Sequence, residues 1–86
     1  MKKILVTIYV LSLQQEFDVF IPITMNMKDA ISLIQDSIVK LSNENYQKKD
    51  NVMLFDEDGK IINLNNKTKF SGLNNGSKVI LVEKTF

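Results

Sequence analysis

Three consecutive carboxylates, Asp56, Glu57 and Asp58, followed by Gly59, are the residues of this chain best suited to chemistry. Clustered acids can hold a calcium ion or divide into an acid–base pair. A calcium loop that places Gly59 at its sixth position needs an acidic first ligand and a glutamate at its twelfth. Those places hold Leu54 and Asn65, so the pattern fails. No apolar pocket or facing carboxylate is suggested that would drive two acids apart in pKa. Asp58-Gly59 reads instead as a solvated turn. The other reactive groups are missing: the chain has no histidine and no cysteine, and all its 11 basic residues are lysine. That removes the usual base near neutral pH, the thiol nucleophile, the thiolate or imidazole metal site and bidentate phosphate recognition. A net charge of +1 with both signs interspersed gives no broad field for nucleic acid or membrane. Asn66-Lys67-Thr68 and Asn75-Gly76-Ser77 match the glycosylation pattern, which matters only in an exported protein. The expectation is a chain without catalysis, cofactor, metal or nucleic-acid partner.

The element that must organise such a chain is Met27 to Leu41. Met27, Ile31, Ile34, Ile38 and Leu41 are spaced 4, 3, 4 and 3 apart. At roughly 100° per residue they span an arc of about 80°, the stripe of a helix lying on a core. Ala30 widens the stripe. Lys28, Ser32, Gln35 and Asp36 lie opposite and are assigned to water, with Val39 alone among them. Asn26 is placed to cap the helix, and Asp36 and Lys40 are placed for an i,i+4 ion pair.

The flanks supply strands. Ile4 to Leu13 follows Lys2 and Lys3, as a short export signal would. Thr7, Tyr9 and Ser12 interrupt it, however, and no small-residue cleavage site follows. It is also rich in β-formers and short for a membrane span. A strand is expected, with Ile4, Val6, Ile8 and Val10 on one face and Leu5, Thr7 and Tyr9 on the other. Glu16 to Pro22 alternates in the same way, and Ser12 to Gln15 turns between the two, so the pair reads as an antiparallel hairpin. After a polar loop with Tyr46 as its anchor come strand Val52 to Phe55, the Asp-Gly turn and a short strand Lys60 to Leu64. Phe70 and Leu73 are expected to pin an irregular segment to the core. Asn75-Gly76 turns into the last strand, Lys78 to Val82. The domain is read as residues 1–82, with 83–86 as a tail.

This order predicts an α+β fold: a mixed sheet of four to five strands on one helix, with the last strand beside the first and parallel to it, a β-grasp. The expected core is Ile4, Val6, Ile8, Phe17, Val19, Ile21, the helix stripe, Leu54, Leu73, Val79 and Leu81. Leu5, Thr7, Tyr9, Ile80 and Val82 then share the sheet face turned away from the helix. An apolar patch of that size marks an interface. Its expected occupant is another protein, or a second copy of this chain in a homodimer.

The strands ILVTIYV and EFDVFIP, the helix MKDAISLIQDSIV and the ending TKFSGLNNGSKVILV resemble ubiquitin-like proteins. Among these the resemblance is to the EsaB/YukD-type family associated with type VII (WXG100) secretion in Gram-positive bacteria. It covers residues 3–82. The resemblance implies a cytoplasmic accessory or regulatory component of the secretion machinery that acts by binding proteins, without membrane insertion. The chain departs from ubiquitin and the sulfur carriers at its end. Glu83-Lys84-Thr85-Phe86 replaces the diglycine that is activated there, so a C-terminally activated carrier is the disfavoured alternative. A nucleic-acid-binding β-grasp module is the other.

Overall fold

A computed structural model describes residues 2–84; Met1, Thr85 and Phe86 lie outside the described residues, and with them the end of the expected tail. The elements run β1 (Lys3–Val10), β2 (Gln15–Pro22), α1 (Met27–Leu41), β3 (Val52–Phe55), a 3-10 turn (Thr68–Phe70) and β4 (Lys78–Glu83). The sheet order is β2-β1-β4-β3. β1 is antiparallel to β2, from Lys3 opposite Pro22 to Val10 opposite Gln15, and parallel to β4. β3 closes the other side antiparallel to β4. The fold is the expected α+β β-grasp, with four strands. β4 runs one residue beyond Val82, and the Lys84 N–H donates to the Asn51 carbonyl at 2.9 Å.

One face of the sheet carries Ile4, Val6, Ile8, Val10, Val19, Ile21, Leu54, Val79 and Leu81, all buried beneath Met27, Ala30, Ile31, Ile34 and Ile38 of α1. Burying each such aliphatic side chain contributes about 1.5–3 kcal/mol, which is why the two periodicities meet on this one plane.

The structure departs from the sequence reading where the chain runs past the sheet. Leu41 is 55% exposed, at the edge of the sheet, where it lines a groove with Val19 and Phe20 of β2. Phe17 is only partly buried at the rim. Val39, assigned to water, packs partly against the core. Asp36 pairs with Lys48 of the next loop at 3.0 Å, not with Lys40. Lys60 to Leu64 does not form a strand: Ile61 makes a single bridge to Phe55, and the Ile62 N–H reaches the Leu54 carbonyl before the chain leaves. Only Ile62 of that run is fully buried, so one inward anchor replaces a ladder. Phe70 is 67% exposed, and Thr68 takes the buried place beside Leu73. The Thr68 hydroxyl donates to the Met25 carbonyl at 2.9 Å.

That last contact explains how α1 begins. Asn26 makes no side-chain cap. Instead the 66–69 segment runs back along the helix entrance: Met27 N–H donates to the Asn66 carbonyl, Thr68 N–H to that of Met25 and Lys69 N–H to that of Ile23. One of these bonds, from Met27 N–H, pairs the first free donor of the helix; the other two tie the approach to the helix, at Ile23 and Met25, to the distant loop.

Candidate protein-binding face

Because side chains alternate along a strand, the residues between the core positions face away from α1. The register sets them in rows. Phe20 lies opposite Leu5, Asp18 opposite Thr7 with Lys78 beyond it, and Glu16 opposite Tyr9 with Ile80 and Phe55 beyond. Val82 lies opposite Met53. All five residues assigned from sequence, Leu5, Thr7, Tyr9, Ile80 and Val82, are on this face, and all are half-buried. The structure adds Met53 and Phe55, also half-buried, and Phe20, 60% exposed. The alternation of Met53 and Phe55 with buried Val52 and Leu54 is the signal that finds them.

The result is an apolar tract, Tyr9–Ile80–Phe55 with Val82 and Met53 beside it, bordered by Glu16 and Asp18 on β2 and by Lys78 on β4. The Thr7 hydroxyl donates to the Asp18 carboxylate at 2.7 Å, which fixes the polar border. At the other end β1 outruns β4, and Asn75 completes the sheet. Its side-chain oxygen accepts the Leu5 N–H at 2.8 Å, while Gly76 N–H donates to the Leu5 carbonyl at 2.7 Å. Gly76 holds φ +90° there, a conformation costly for other residues, so Asn75-Gly76 serves as turn and strand extension together.

Of the acidic cluster, Asp56 is spent on its own turn, and Glu57 and Asp58 are exposed. Asp56 accepts the N–H groups of Asp58 and Lys60, both at 2.9 Å. Among the described residues no group of three His, Cys, Asp or Glu side chains is placed to hold a metal ion. No described helix is long and apolar enough to cross a membrane.

One buried polar group runs against the sequence reading. Gln35, assigned to water, is 2% exposed. The loop after α1 folds back over it: the Tyr46 hydroxyl donates to Gln35 Oε1 at 2.6 Å, Lys49 N–H donates to the same oxygen at 2.8 Å, and Gln35 Nε2 donates to the Lys49 carbonyl at 3.0 Å. Burial, with Glu83 adding to it, pushes the Tyr46 phenol up to about 12. This cluster locks the loop onto α1.

No protein-family profile matches the chain. No curated protein matches it. Solved structures do. The ubiquitin of Caldiarchaeum subterraneum shares 10% identity, with 99% of this chain on 98% of that one and a TM-score of 0.69. A chain of the toluene 4-monooxygenase HD complex shares 12% identity, with 96% on 100% and a TM-score of 0.77. A chain of the MycP5-free ESX-5 inner membrane complex shares 8% identity, with all of this chain on 22% of that one and a TM-score of 0.64. At these identities the likeness is one of fold, the ubiquitin-like β-grasp, found in proteins of very different kinds.

Proposed function

We propose that this chain is a non-catalytic, ubiquitin-like protein-binding module whose contact surface is the open sheet face built on Leu5, Thr7, Tyr9, Ile80 and Val82. The observation that carries this reading is the apolar tract Tyr9–Ile80–Phe55, with Val82 and Met53 beside it, across β1, β4 and β3; Leu5 lies beyond the row of Thr7, Asp18 and Lys78. The expected domain of residues 1–82 extends in this reading through Glu83, which belongs to β4.

The finer reading places the module in the cytoplasm as an accessory or regulatory component of a type VII secretion system. Its support is the resemblance carried by the two opening strands, the helix and the TKFSGLNNGSKVILV ending. The occurrence of the same fold in a chain of the ESX-5 inner membrane complex is compatible with it.

The test compares tagged wild-type chain with Ile80→Asp in native cells. A carboxylate at the centre of the tract should abolish partner capture, and because Ile80 is half-buried urea unfolding of the variant is measured alongside to show that it stays folded. Capture of a WXG100 protein or of the membrane ATPase by the wild type alone supports both readings. Capture of other proteins, lost with Ile80→Asp, keeps the face and removes the secretion role. Undiminished capture by Ile80→Asp ends the assignment of the face.

A further inference from the structure

β2 is an edge strand of eight residues with no strand on its outer side, guarded only by the exposed Glu16 and Asp18 and by Pro22 at its end. The N–H groups of Leu5 and Thr7 reach Asn75 and Ser77, towards β4. Alternation along an antiparallel pair therefore turns the main-chain groups of Ile4, Val6 and Ile8 towards Ile21, Val19 and Phe17 of β2. That leaves the N–H and C=O groups of Glu16, Asp18 and Phe20 pointing outward from the sheet. No inward-pointing lysine or bulge blunts this edge, and its one proline, Pro22, is at the end. Two large apolar side chains flank it: Phe20, 60% exposed on the open face, and Leu41, 55% exposed on the helix side. Between β2 and α1 lies a groove of about 350 Å³ lined by Val19, Phe20, Ser37, Lys40 and Leu41.

We propose that the β2 edge pairs antiparallel with the same edge of a second copy, giving a two-fold dimer with one continuous sheet. The register follows from charge and parity. A two-fold axis at Asp18 sets two carboxylates directly opposite each other, which is repulsive. An axis at Phe20 leaves Glu16 beyond the end of the second copy's strand. An axis at Val19 avoids both: Asp18 and Phe20 of the second copy exchange main-chain hydrogen bonds, and Glu16 meets the Pro22 carbonyl. The outward groups are the ones this register uses. The seam also brings its own cover, Phe20 from each copy on one side and Leu41 from each on the other, so no third component is needed to dry it. This self-complementarity favours a second copy over an unrelated strand. Both open faces then lie on the same side of the joined sheet.

Sedimentation of the full chain over a concentration series tests this, with amide exchange measured alongside. The expected result is a mass rising from 9.9 kDa towards twice that value, with the Asp18 and Phe20 amides exchanging more slowly as concentration rises. Phe20→Pro removes one outward N–H at a position where an edge strand tolerates proline, and should weaken self-association at least about tenfold. If that variant does not fold, the wild-type exchange pattern decides alone. A chain that stays monomeric at millimolar concentration overturns the proposal, as do Asp18 and Phe20 amides indifferent to concentration. A dimer abolished by Ile80→Asp but kept by Phe20→Pro places the contact on the open face and overturns it too.

Discussion

Replacing Gln35 by leucine should destabilise the protein far more than its place on the polar side of a helix suggests. The side chain is 2% exposed and makes three hydrogen bonds, two to the main chain of Lys49 and one from the Tyr46 hydroxyl. A net hydrogen bond is worth about 1 kcal/mol, and a buried donor left without a partner costs about 1–3 kcal/mol. The Lys49 groups are near water and can rehydrate, whereas the Tyr46 hydroxyl cannot, because Tyr46 is itself 2% exposed. The expected loss is about 3 kcal/mol. Tyr46→Phe removes the donor and leaves Gln35 its Lys49 partners, so it should cost about 1 kcal/mol. In the double variant no phenol remains to be orphaned, and the loss should fall short of the sum of the singles by about 1–2 kcal/mol. Urea unfolding of the four proteins, followed by circular dichroism, measures the cycle. Additivity within about 0.5 kcal/mol, or a Gln35→Leu cost below that value, would refute the view that this glutamine holds the loop.

The same phenol predicts a pH dependence. Burial, then Glu83, raises Tyr46 in the folded chain to about 12 from 10.0. The folded state thus keeps its proton after the unfolded state has lost it. Its contribution is full below pH 10 and is lost as pH rises from about 10 to about 12, a decline that Tyr46→Phe should lack in parallel unfolding curves. Asn75→Ala deprives the Leu5 N–H of its side-chain acceptor and should cost about 0.5–1 kcal/mol, with faster exchange of the Leu5 amide by nuclear magnetic resonance. Glu44 sits at φ +66° just after α1. Relief of left-handed strain exceeds the added chain entropy of glycine there, so Glu44→Gly should raise stability by about 0.5 kcal/mol in urea melts.

Much of the architecture was legible because its signals are local. Alternation in β1 and β2 assigns Val6 and Val19 inward and Thr7 and Asp18 outward whatever they pack against. The 4, 3, 4, 3 spacing orients Ile31, Ile34 and Ile38 in the same way. Asp58-Gly59 and Asn75-Gly76 mark turns, since φ is positive at Gly59 and Gly76 and glycine adopts it at little cost. Those features were enough to place Leu5, Thr7, Tyr9, Ile80 and Val82 on one face. What escaped them depends on where long segments land. The loop after α1 could have left Gln35 wet, yet it returns to cover it. Asn26 was expected to cap α1 and does not, while the 66–69 segment, far along the chain, takes the Met27 N–H and fastens the helix entrance. Leu41 belongs to the apolar stripe but lies at the open β2 edge of a sheet whose width no helical period can report. A sequence states which way a side chain points from its own element, because that direction is set by adjacent dihedrals. Whether anything lies there is decided only when distant parts of the chain close over one another.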